Sequence, residues 1–278
     1  MSFRTYREVT GNDRSQLGEQ VAAQRQRVQD RLRDVARVVA IMSGKGGVGK
    51  SYVTAAIARG LIRRMPGAVG VLDADLTSPT TGRLLGAHGP LRVDEDGVHP
   101  ARGTEGIVVC SMDLVLDEGA PLTWREPASE RFVWRGALEA GALREFLGDV
   151  VWGALEILLI DLPPGTDRLD DLAELVPTLA GAIAVTIPSE ESRRSVERAM
   201  RRAAQAGVPL LGVVENMSGY ACAGCGAIAP LYEGSAGRML SDTFGVPLLS
   251  RLPFLPGERA DRVDVLDALA TSCLAVLP

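Results

Sequence analysis

Two short stretches of this 278-residue chain carry residues whose types and spacing suit chemistry. The first, Gly44–Ser51 (GKGGVGKS), matches G-x-x-x-x-G-K-[ST]. In that pattern glycine N–H groups surround phosphates, a lysine reaches the β- and γ-phosphates, and a hydroxyl binds Mg²⁺. The second stretch places Cys222 and Cys225 in a C-x-x-C, a spacing used for metal binding and for redox chemistry. We therefore expect a nucleoside triphosphate site and a thiolate site.

The lysine content singles out Gly44–Ser51, which we call the phosphate loop. Of the 30 lysine and arginine residues, only Lys45 and Lys50 are lysines, and both lie in this loop. A compact ammonium group fits such a loop as a point charge, whereas a guanidinium is broader and planar. The glycines also match the G-x-G-x-x-G of a dinucleotide-binding turn, but that turn has no use for the pair Lys50-Ser51. The triphosphate interpretation is therefore favoured.

Three aspartates follow apolar runs that we interpret as strands. Asp73 and Asp75 lie at the end of one run and Asp161 at the end of another. A phosphate loop requires such carboxylates, one in the Mg²⁺ shell and one to orient the attacking water. Spaced two residues apart, Asp73 and Asp75 should lie on one side of an extended segment. After Asp161, the amide of Gly165 is a candidate sensor of the γ-phosphate.

Short apolar runs alternate with helical patterns over most of the chain. Runs that are apolar on both faces and are separated by helices predict a parallel sheet covered on both sides. The fold class is therefore α/β, a doubly wound, mainly parallel sheet of about seven or eight strands with helices on both faces. The predicted strands are 38–42, 69–73, 106–110, 156–161, 182–187 and 210–216, and the predicted helices between them are 50–64, 136–148 and 190–206.

The N-terminal part reads differently from the rest. Apolar residues at helical spacing predict one amphipathic helix over 15–37, which packs on the body or on a second copy. We divide the chain into an N-terminal helical extension, 1–37, and a phosphate-loop domain, 38–278, that carries the C-x-x-C. The stretch 87–105 holds both histidines amid turn residues and predicts a solvated surface hairpin. Cys110 and Cys273 have apolar neighbours and are expected to be buried.

Composition and charge exclude several classes of protein. At 46% hydrophobic and 23% charged residues, the chain is globular rather than disordered or fibrous. A formal net charge of −5 argues against nonspecific coating of nucleic acid or of anionic membranes. No apolar run is long enough for a membrane span, and the first residues lack a signal core. We expect a cytoplasmic protein with reduced cysteines.

The motifs together resemble those of a known family. Lys45, the extra lysine of KGGVGKS, is the signature of the deviant Walker A group, which includes MinD and ParA positioning ATPases, the nitrogenase iron protein and the Mrp/ApbC iron-sulfur cluster carriers. Three stretches resemble the Mrp/ApbC branch specifically: 73–86 (DADLTSPTTGRLLG), 132–166, and 208–226 (VPLLGVVENMSGYACAGCG). The resemblance covers about residues 38–260. The chain departs from the family at Ala223, where proline is common, and after the PPGT motif, where Asp167-Arg168 follows directly.

The resemblance implies roles for individual residues. It implies a homodimer that encloses two ATP molecules, with Lys50 on its own nucleotide and Lys45 reaching the partner's. Asp75 would position the water, Ser51, Asp73 and Asp161 would support Mg²⁺, and Asn216 would read the adenine. The residues expected to contact nucleotide are Gly44, Lys45, Gly46, Gly47, Val48, Gly49, Lys50, Ser51, Tyr52 and Asn216. Cys222 and Cys225 of each protomer would bind one 4Fe-4S cluster that bridges the dimer.

Two thiolates are half of the four that a 4Fe-4S cluster needs, so a symmetry mate has to supply the others. Zinc would accept the same four sulfurs and remains an alternative occupant. Redox disulfide chemistry is the weaker interpretation, because the thioredoxin-like motif opens a helix, whereas this C-x-x-C lies in a glycine-rich loop.

The leading hypothesis is a homodimeric carrier that binds and slowly hydrolyses ATP, assembles a 4Fe-4S cluster and transfers it to apo iron-sulfur client proteins. The alternative is a MinD/ParA-like positioning switch whose C-x-x-C binds structural zinc. That switch would need a basic amphipathic C-terminus or a basic face. Residues 258–278 look instead like a docking helix, and the arginines of 189–206 are interspersed with glutamates, so nucleic acid is an improbable partner. An electron-donating reductase is the third hypothesis.

Overall fold

The computed structural model describes residues 17–114, 141–165, 167–255 and 263–278. From β1 onward, at least one helix lies between any two successive strands of five or more residues. The helices are α1 (Leu17–Arg31), α2 (Lys50–Ile62), α3 (Thr81–Leu84), α4 (described over 141–149), α5 (Asp167–Leu175), α6 (Glu190–Gln205), α7 (Ala236–Phe244) and α8 (Val263–Leu274). The strands are β1 (Val38–Met42), β2 (Val69–Asp73), β3 (Arg92–Asp94), β4 (Gly97–His99), β5 (Ala101–Arg102), β6 (Val108–Cys110), β7 (Ile157–Asp161), β8 (Gly181–Thr186), β9 (Leu210–Ala221), β10 (Ile228–Ala229) and β11 (Leu248–Phe254).

Nine strands of the described part form one sheet with β1 near its middle. Seven of them run parallel in the order β11-β9-β8-β1-β7-β2-β6. The two-residue strands β5 and β10 add antiparallel pairs to β6 and β9. Because the strands are parallel, their carboxyl ends meet at one edge, where ligands bind in doubly wound folds. The phosphate loop after β1 and the aspartates that end β2 and β7 lie at this edge.

Helices cover both faces of the sheet, as the two-sided apolar runs require. Along β1, Val38, Ala40 and Met42 face one buried cluster, and Val39 and Ile41 face another. The first cluster includes side chains of α1, α4, α5, α6 and α7, and the second includes those of α2 and α8. Successive side chains of a strand point to opposite faces, so a fully apolar strand is stable only between two such layers.

The helices at the two ends of the described chain both pack on the body. Val28 of α1 and Leu32, the residue directly after the helix, are buried in the first cluster, which also includes Leu147 of α4. On the other face, α8 packs on α2 so closely that a side chain at Gly60 would overlap the carbonyl of Leu266. No helix within the described ranges combines the length and hydropathy that crossing a bilayer requires.

The predicted fold class is confirmed, and the differences lie at the edges. The described sheet has nine strands rather than seven or eight, because β5 and β10 are only two residues long and have no sequence signal. We did not predict β11, because Ser, Arg and Pro interrupt its apolar pattern. The predicted α1 ends at Arg31 rather than at residue 37, and its residues 15–16 lie outside the described part, as do residues 136–140 of the predicted helix 136–148.

The stretch 87–105 contains the predicted hairpin, in which β3 pairs with β4. His88 is exposed, and Nε2 of His99 lies 2.8 Å from the Asp94 carboxylate on the opposite strand. Neither histidine lines the cleft beside the phosphate loop. The division into 1–37 and 38–278 stays a prediction.

Candidate functional site

The phosphate loop joins the central strand β1 to the N-terminus of α2. Its first residue, Gly44, lies against α6: the Ser195 hydroxyl donates to the Gly44 carbonyl at 2.7 Å, and a Cβ at Gly44 would overlap the Ser195 backbone. The last glycine, Gly49, caps α2 with a left-handed φ of 77°. Gly44 is required because the Ser195 backbone leaves no room for a side chain, and Gly49 is required because its φ is left-handed. The loop places its N–H groups at the N-terminus of a 13-residue helix, which is a favourable position for binding an anion.

Lys50 is buried in an ion pair with the aspartate that ends β7. Its Nζ lies 2.7 Å from Oδ1 of Asp161, and the Thr54 hydroxyl donates to the same oxygen at 2.8 Å. Lys50 retains 6% of its side-chain exposure and Asp161 none. Thr54 lies one helical turn after Lys50, so the 3.6-residue period of α2 puts both donors on one face. We did not select Thr54 from the sequence, although its i+4 spacing was the available signal.

The other oxygen of Asp161, Oδ2, is buried and has no hydrogen-bond partner among the described residues. A buried carboxylate oxygen without a donor is costly unless a ligand satisfies it. Mg²⁺ prefers carboxylate and hydroxyl oxygens and retains several waters, so Asp161 together with Ser51, which lines the cleft, fits this ion. Within the described part, no group of three or more His, Cys, Asp or Glu side chains forms a metal site.

Asp73 and Asp75 do not lie side by side on an extended segment, so that prediction is wrong. β2 ends at Asp73, and the chain then turns, with the Asp75 N–H donating to Oδ1 of Asp73 at 3.1 Å. The other oxygen of Asp73 accepts the N–H groups of Thr80 and Thr81 at 2.9 Å and the Ser111 hydroxyl at 3.1 Å. Asp73 is therefore a buried cap that shapes the loop after β2. Its direct role at Mg²⁺ stays a prediction.

Burial raises the pKa of Asp73 to about 6, and the nearby Asp161 carboxylate adds to the rise, although the N–H donors oppose it. Two carboxylates at adjacent strand ends repel each other when both are ionised. Lys50 compensates one of these charges, and a Mg²⁺ ion would compensate the other. The charge balance of the strand ends therefore also fits a bound cation.

The cleft beside the phosphate loop has a volume of about 580 Å³, within the range of small-molecule sites. Asp75 lines this cleft together with the loop residues, and so does the half-buried Lys45. No ion pair of Lys45 occurs among the described residues. Arg83 also lines the cleft, and it has no sequence pattern that marks it as a site residue. The predicted residues that line the cleft are Lys45, Gly46, Gly47, Val48, Gly49, Lys50, Ser51, Tyr52 and Asp75.

Asn216 and Gly165 both donate hydrogen bonds to backbone carbonyls of this chain. The Asn216 side chain is 4% exposed and donates from Nδ2 to the Val48 carbonyl at 2.9 Å, so it holds the phosphate loop. Its expected contact with adenine stays a prediction. The Gly165 N–H donates to the Ser43 carbonyl at 3.0 Å, and that bond would have to break before Gly165 could contact a γ-phosphate. Thr166 of the PPGT motif lies outside the described residues.

The C-x-x-C lies at the tip of a hairpin formed by β9 and β10, which we call the C-x-x-C hairpin (residues 220–229). The Cys222 N–H donates to the Ala227 carbonyl, and the Gly226 N–H donates back to the Cys222 carbonyl, both at 2.9 Å. Gly226 is left-handed, with a φ of 74°. Cys225 is exposed and Cys222 half-buried, and neither is in a disulfide. The hairpin thus presents two thiols in a tight turn at the surface.

Exposed apolar side chains occur on the C-x-x-C hairpin and in segments close to it in the chain or the sheet. Tyr220 stacks on Phe254 of β11 with ring centroids 6.3 Å apart and an interplanar angle of 19°. The exposed apolar residues of this surface are Tyr220 (38%), Ile228 (62%), Leu231 (43%), Tyr232 (40%) and Phe254 (47%). An exposed apolar patch of this kind marks an interaction site.

The other two cysteines are confirmed as buried. Burial raises the pKa of Cys273 to about 12, and burial together with the charge of Asp73 does the same for Cys110. Both thiols therefore stay protonated at neutral pH and are poor ligands and nucleophiles.

Four of the five arginines of α6 form ion pairs with nearby carboxylates. Arg193 pairs with Glu190 and with Glu197 at 2.7 Å, and Arg201 pairs with Glu197 at 2.6 Å. Hydrogen bonds from Arg193 and then Arg194 lower the pKa of Glu190 to about 2. These contacts fit the predicted helix face with charges of both signs, and the exclusion of nucleic acid as a partner stays a prediction.

Comparison with known proteins gives consistent results. The family model ParA, described as NUBPL iron-transfer P-loop NTPase, matches residues 34–265. The chain is 37% identical over 247 residues to the iron-sulfur cluster carrier protein of Saccharolobus solfataricus, covering 88% of this chain and 80% of the relative. It is 37% identical over 235 residues to the cytosolic Fe-S cluster assembly factor NUBP1 homolog of Brugia malayi, covering 82% and 73%.

One solved structure is similar to this chain at both the sequence and the fold level. It is a nucleotide-binding protein from Archaeoglobus fulgidus in complex with ADP, in which cobalt was found. The two chains superpose with a TM-score of 0.66 at 30% identity, over 91% of this chain and 97% of the other.

Proposed function

This chain belongs to the ParA family of NUBPL-type iron-transfer P-loop NTPases, and on that premise we propose that it is an ATP-dependent carrier of iron-sulfur clusters. In this proposal two copies form a homodimer, bind and slowly hydrolyse ATP, assemble one 4Fe-4S cluster between them and transfer it to apo-proteins. The observation that carries the proposal is the presence, on one sheet, of a phosphate loop with Lys45 and a surface hairpin with two thiols.

The nucleotide half rests on the geometry of the cleft. Gly46, Gly47 and Gly49 offer N–H groups at the start of α2, and Lys50 is held at the end of β7, where it meets the terminal phosphates. The ADP bound to the Archaeoglobus relative supports nucleotide as the ligand. When bound, Mg²⁺ neutralises phosphate charge, and Ser51 and Asp161 would hold it. Asp75, which lines the same cleft, orients the attacking water.

Lys45 is the residue that makes a dimer part of the proposal. Its ammonium lies at the cleft without an ion pair among the described residues, whereas Lys50 is already neutralised by Asp161. A cation left available in this way suits a nucleotide brought by a second copy. The exposed apolar residues around the C-x-x-C hairpin give that second copy a surface to cover.

The cluster is the cargo of this carrier. Cys222 and Cys225 supply two thiolates from one tight turn, and the same turn on a symmetry-related copy completes four. The exposure of Cys225 lets a cluster be delivered and removed. The names of the Saccharolobus and Brugia relatives support this cargo, and the second also supports a cytosolic location.

A membrane- or DNA-positioning switch finds less support. Its C-terminal helix would need an available apolar or basic face, but Leu266, Leu269 and Ala270 of α8 are buried against the body. A DNA-binding switch would need free arginines, and those of α6 are mostly paired with glutamates. A structural zinc in the C-x-x-C remains the occupant that an experiment has to separate from a cluster.

Anaerobic reconstitution with iron and sulfide tests the proposal. Wild-type protein is expected to turn brown and to bind about two iron atoms per chain, which is half of a 4Fe-4S cluster. The variant Cys222→Ala/Cys225→Ala is expected to lose both the colour and the iron. The matched control is Cys110→Ala/Cys273→Ala, which removes two buried thiols and should keep both. Equal iron uptake by wild type and the Cys222/Cys225 variant would reject the proposal.

A further inference from the structure

Strand β9 consists of two parts separated by an irregularity. Its inner part, 210–216, lies in the main sheet between β8 and β11. Its outer part, Tyr220-Ala221, pairs with β10 and leads directly into Cys222. Between the pairs Leu252↔Asn216 and Phe254↔Tyr220, β11 advances two residues while β9 advances four. The two extra residues of β9 form a bulge, and bulges bend a strand next to functional sites.

The bulge contains a strained residue, Met217. Its φ is 52°, in the left-handed region, and Glu105, with a φ of 57°, is the other such non-glycine residue among those described. A long side chain rarely adopts this conformation, and it persists only where the surrounding structure imposes it. We infer that the contacts of the inner and outer parts of β9 hold Met217 in this bent conformation.

The inner side of the bend contacts the phosphate loop. Asn216 donates to the Val48 carbonyl at 2.9 Å, and Cε of Met217 lies 3.7 Å from the position that a Cβ of Gly49 would occupy. The C=O and N–H of one planar peptide point in opposite directions. By holding the Val48 carbonyl, Asn216 therefore directs the Gly49 N–H away from β9. A phosphate that engages that N–H pulls on the peptide to which Asn216 is bound.

The rest of the inner part is fixed, so it does not absorb such a pull. Glu215 is fully buried, and its carboxylate accepts the Gly237 N–H of α7 at 2.6 Å and Arg251 of β11 at 2.8 Å. The outer part is held by fewer contacts, namely the two-residue pairing with β10 and the Tyr220–Phe254 stack. A displacement at Asn216 is thus taken up at Met217 and passed to the hairpin that starts three residues later.

We propose that Asn216 and Met217 are positioning residues that couple nucleotide occupancy of the phosphate loop to the arrangement of the two thiols in the C-x-x-C hairpin. The inference rests on the proposed function, since it assigns a route by which ATP acts on the cluster-binding turn. With methionine at position 217, the bend has a strained and a relaxed state, and the contacts of Asn216 decide between them. Glycine at that position accepts both states equally.

Alkylation of the thiols in cluster-free, full-length protein tests this coupling. The rate at which iodoacetamide modifies Cys225 is measured by peptide mass spectrometry, with and without a saturating non-hydrolysable ATP analogue and Mg²⁺. In wild type the analogue is expected to change this rate at least about fivefold, the low end of coupling between two sites. In Met217→Gly the ratio of the two rates should fall to about one. The buried Cys110 and Cys273 report any unfolding in the same sample.

Glu105→Gly is the matched control. It relieves the same kind of strained φ but lies between β5 and β6, away from both the phosphate loop and the hairpin. It should therefore keep the wild-type ratio. Three results would each overturn the inference. They are a wild-type alkylation rate that does not change when the analogue binds, a wild-type ratio of rates in Met217→Gly, and a ratio that falls as far in Glu105→Gly as in Met217→Gly.

The two proposals fail separately. Binding of the analogue is measured on the same samples by calorimetry, and iron uptake does not enter the alkylation rates. Bound analogue without a change in the Cys225 rate contradicts the coupling and leaves the carrier function intact. Loss of iron binding contradicts the carrier function and leaves the alkylation result interpretable.

Discussion

Among single side chains, Lys50 forms a buried ion pair and is also the proposed ligand of the terminal phosphates. Of the ion pairs among the described residues, Lys50–Asp161 is the most buried. Removing one partner of a buried pair leaves a charge without compensation and costs about 3–5 kcal/mol. In the proposed function Lys50 therefore holds the cleft together before nucleotide arrives and contacts the phosphates afterwards.

For this reason Lys50→Ala should abolish ATP binding and also lower the free energy of unfolding by about 3–5 kcal/mol. The double variant Lys50→Ala/Asp161→Asn removes the charge that is left behind, so it should recover most of the stability but none of the binding. Urea unfolding and ATP titration measure the two effects. A single variant as stable as wild type would show that the ion pair contributes nothing.

Asp75 differs from Asp73 in that its carboxylate faces the cleft. It accepts the Thr77 hydroxyl at 2.9 Å, whereas both oxygens of Asp73 are taken up by the loop after β2. Asp75→Ala should therefore preserve ATP binding and lower turnover by about 10²-fold or more, which is the contribution of a positioned acid or base. ATPase assays and gel filtration with ATP check this, because unhydrolysed ATP should hold the variant as a dimer. Wild-type turnover would assign the water to another group.

Among the elements, α6 determines the shape of the phosphate loop. Its Ser195 backbone leaves no room for a side chain at Gly44, whereas a Cβ at Gly46 would meet only Pro164 at 3.9 Å. Gly44→Ala should therefore displace the loop and lower the thermal midpoint of the nucleotide-free protein by several degrees, since about 1 kcal/mol corresponds to about 2–4 °C at this size. Gly46→Ala is the matched control and should leave the midpoint within about 1 °C of wild type. Equal midpoints for both variants would contradict this role of α6.

The sequence indicated most of the elements and the motifs of both candidate sites, but not the contacts that hold the site residues in place. The apolar runs and the loop pattern predicted β1, β2, β7 and the phosphate loop, because these signals are local. It did not predict that Asp73 caps a loop, that Ser195 supports Gly44 or that Asn216 holds Val48. Those contacts join residues that are distant in the chain, as in the 168 positions between Asn216 and Val48, and no local pattern reports them.

Over the molecule as a whole, the two candidate sites are connected by one strand. β9 starts in the core, contacts the phosphate loop at Asn216 and ends beside Cys222. In the proposed function a second chain completes each site: Lys45 lacks an ion-pair partner among the described residues, and the hairpin offers two thiols where a 4Fe-4S cluster needs four. A two-fold axis would complete both at once.

Mixing two inactive variants tests whether Lys45 acts across that axis. Alone, Lys45→Ala and Asp75→Ala should each bind ATP without hydrolysing it. In a mixed dimer, the nucleotide on the Lys45→Ala chain keeps its own Asp75 and receives Lys45 from the other chain, so one of the two sites is intact. An equal mixture should therefore recover about a quarter of wild-type turnover by random pairing. A mixture as inactive as its components would place Lys45 on its own nucleotide.

Native mass spectrometry of the anaerobically reconstituted protein tests the carrier proposal most directly. The account predicts a species of two chains that holds one cluster of four iron and four sulfide ions, absent from Cys222→Ala/Cys225→Ala and retained in Cys110→Ala/Cys273→Ala. A cluster held by a single chain, a dimer that holds only zinc, or the same iron-loaded species in the Cys222/Cys225 variant would contradict it.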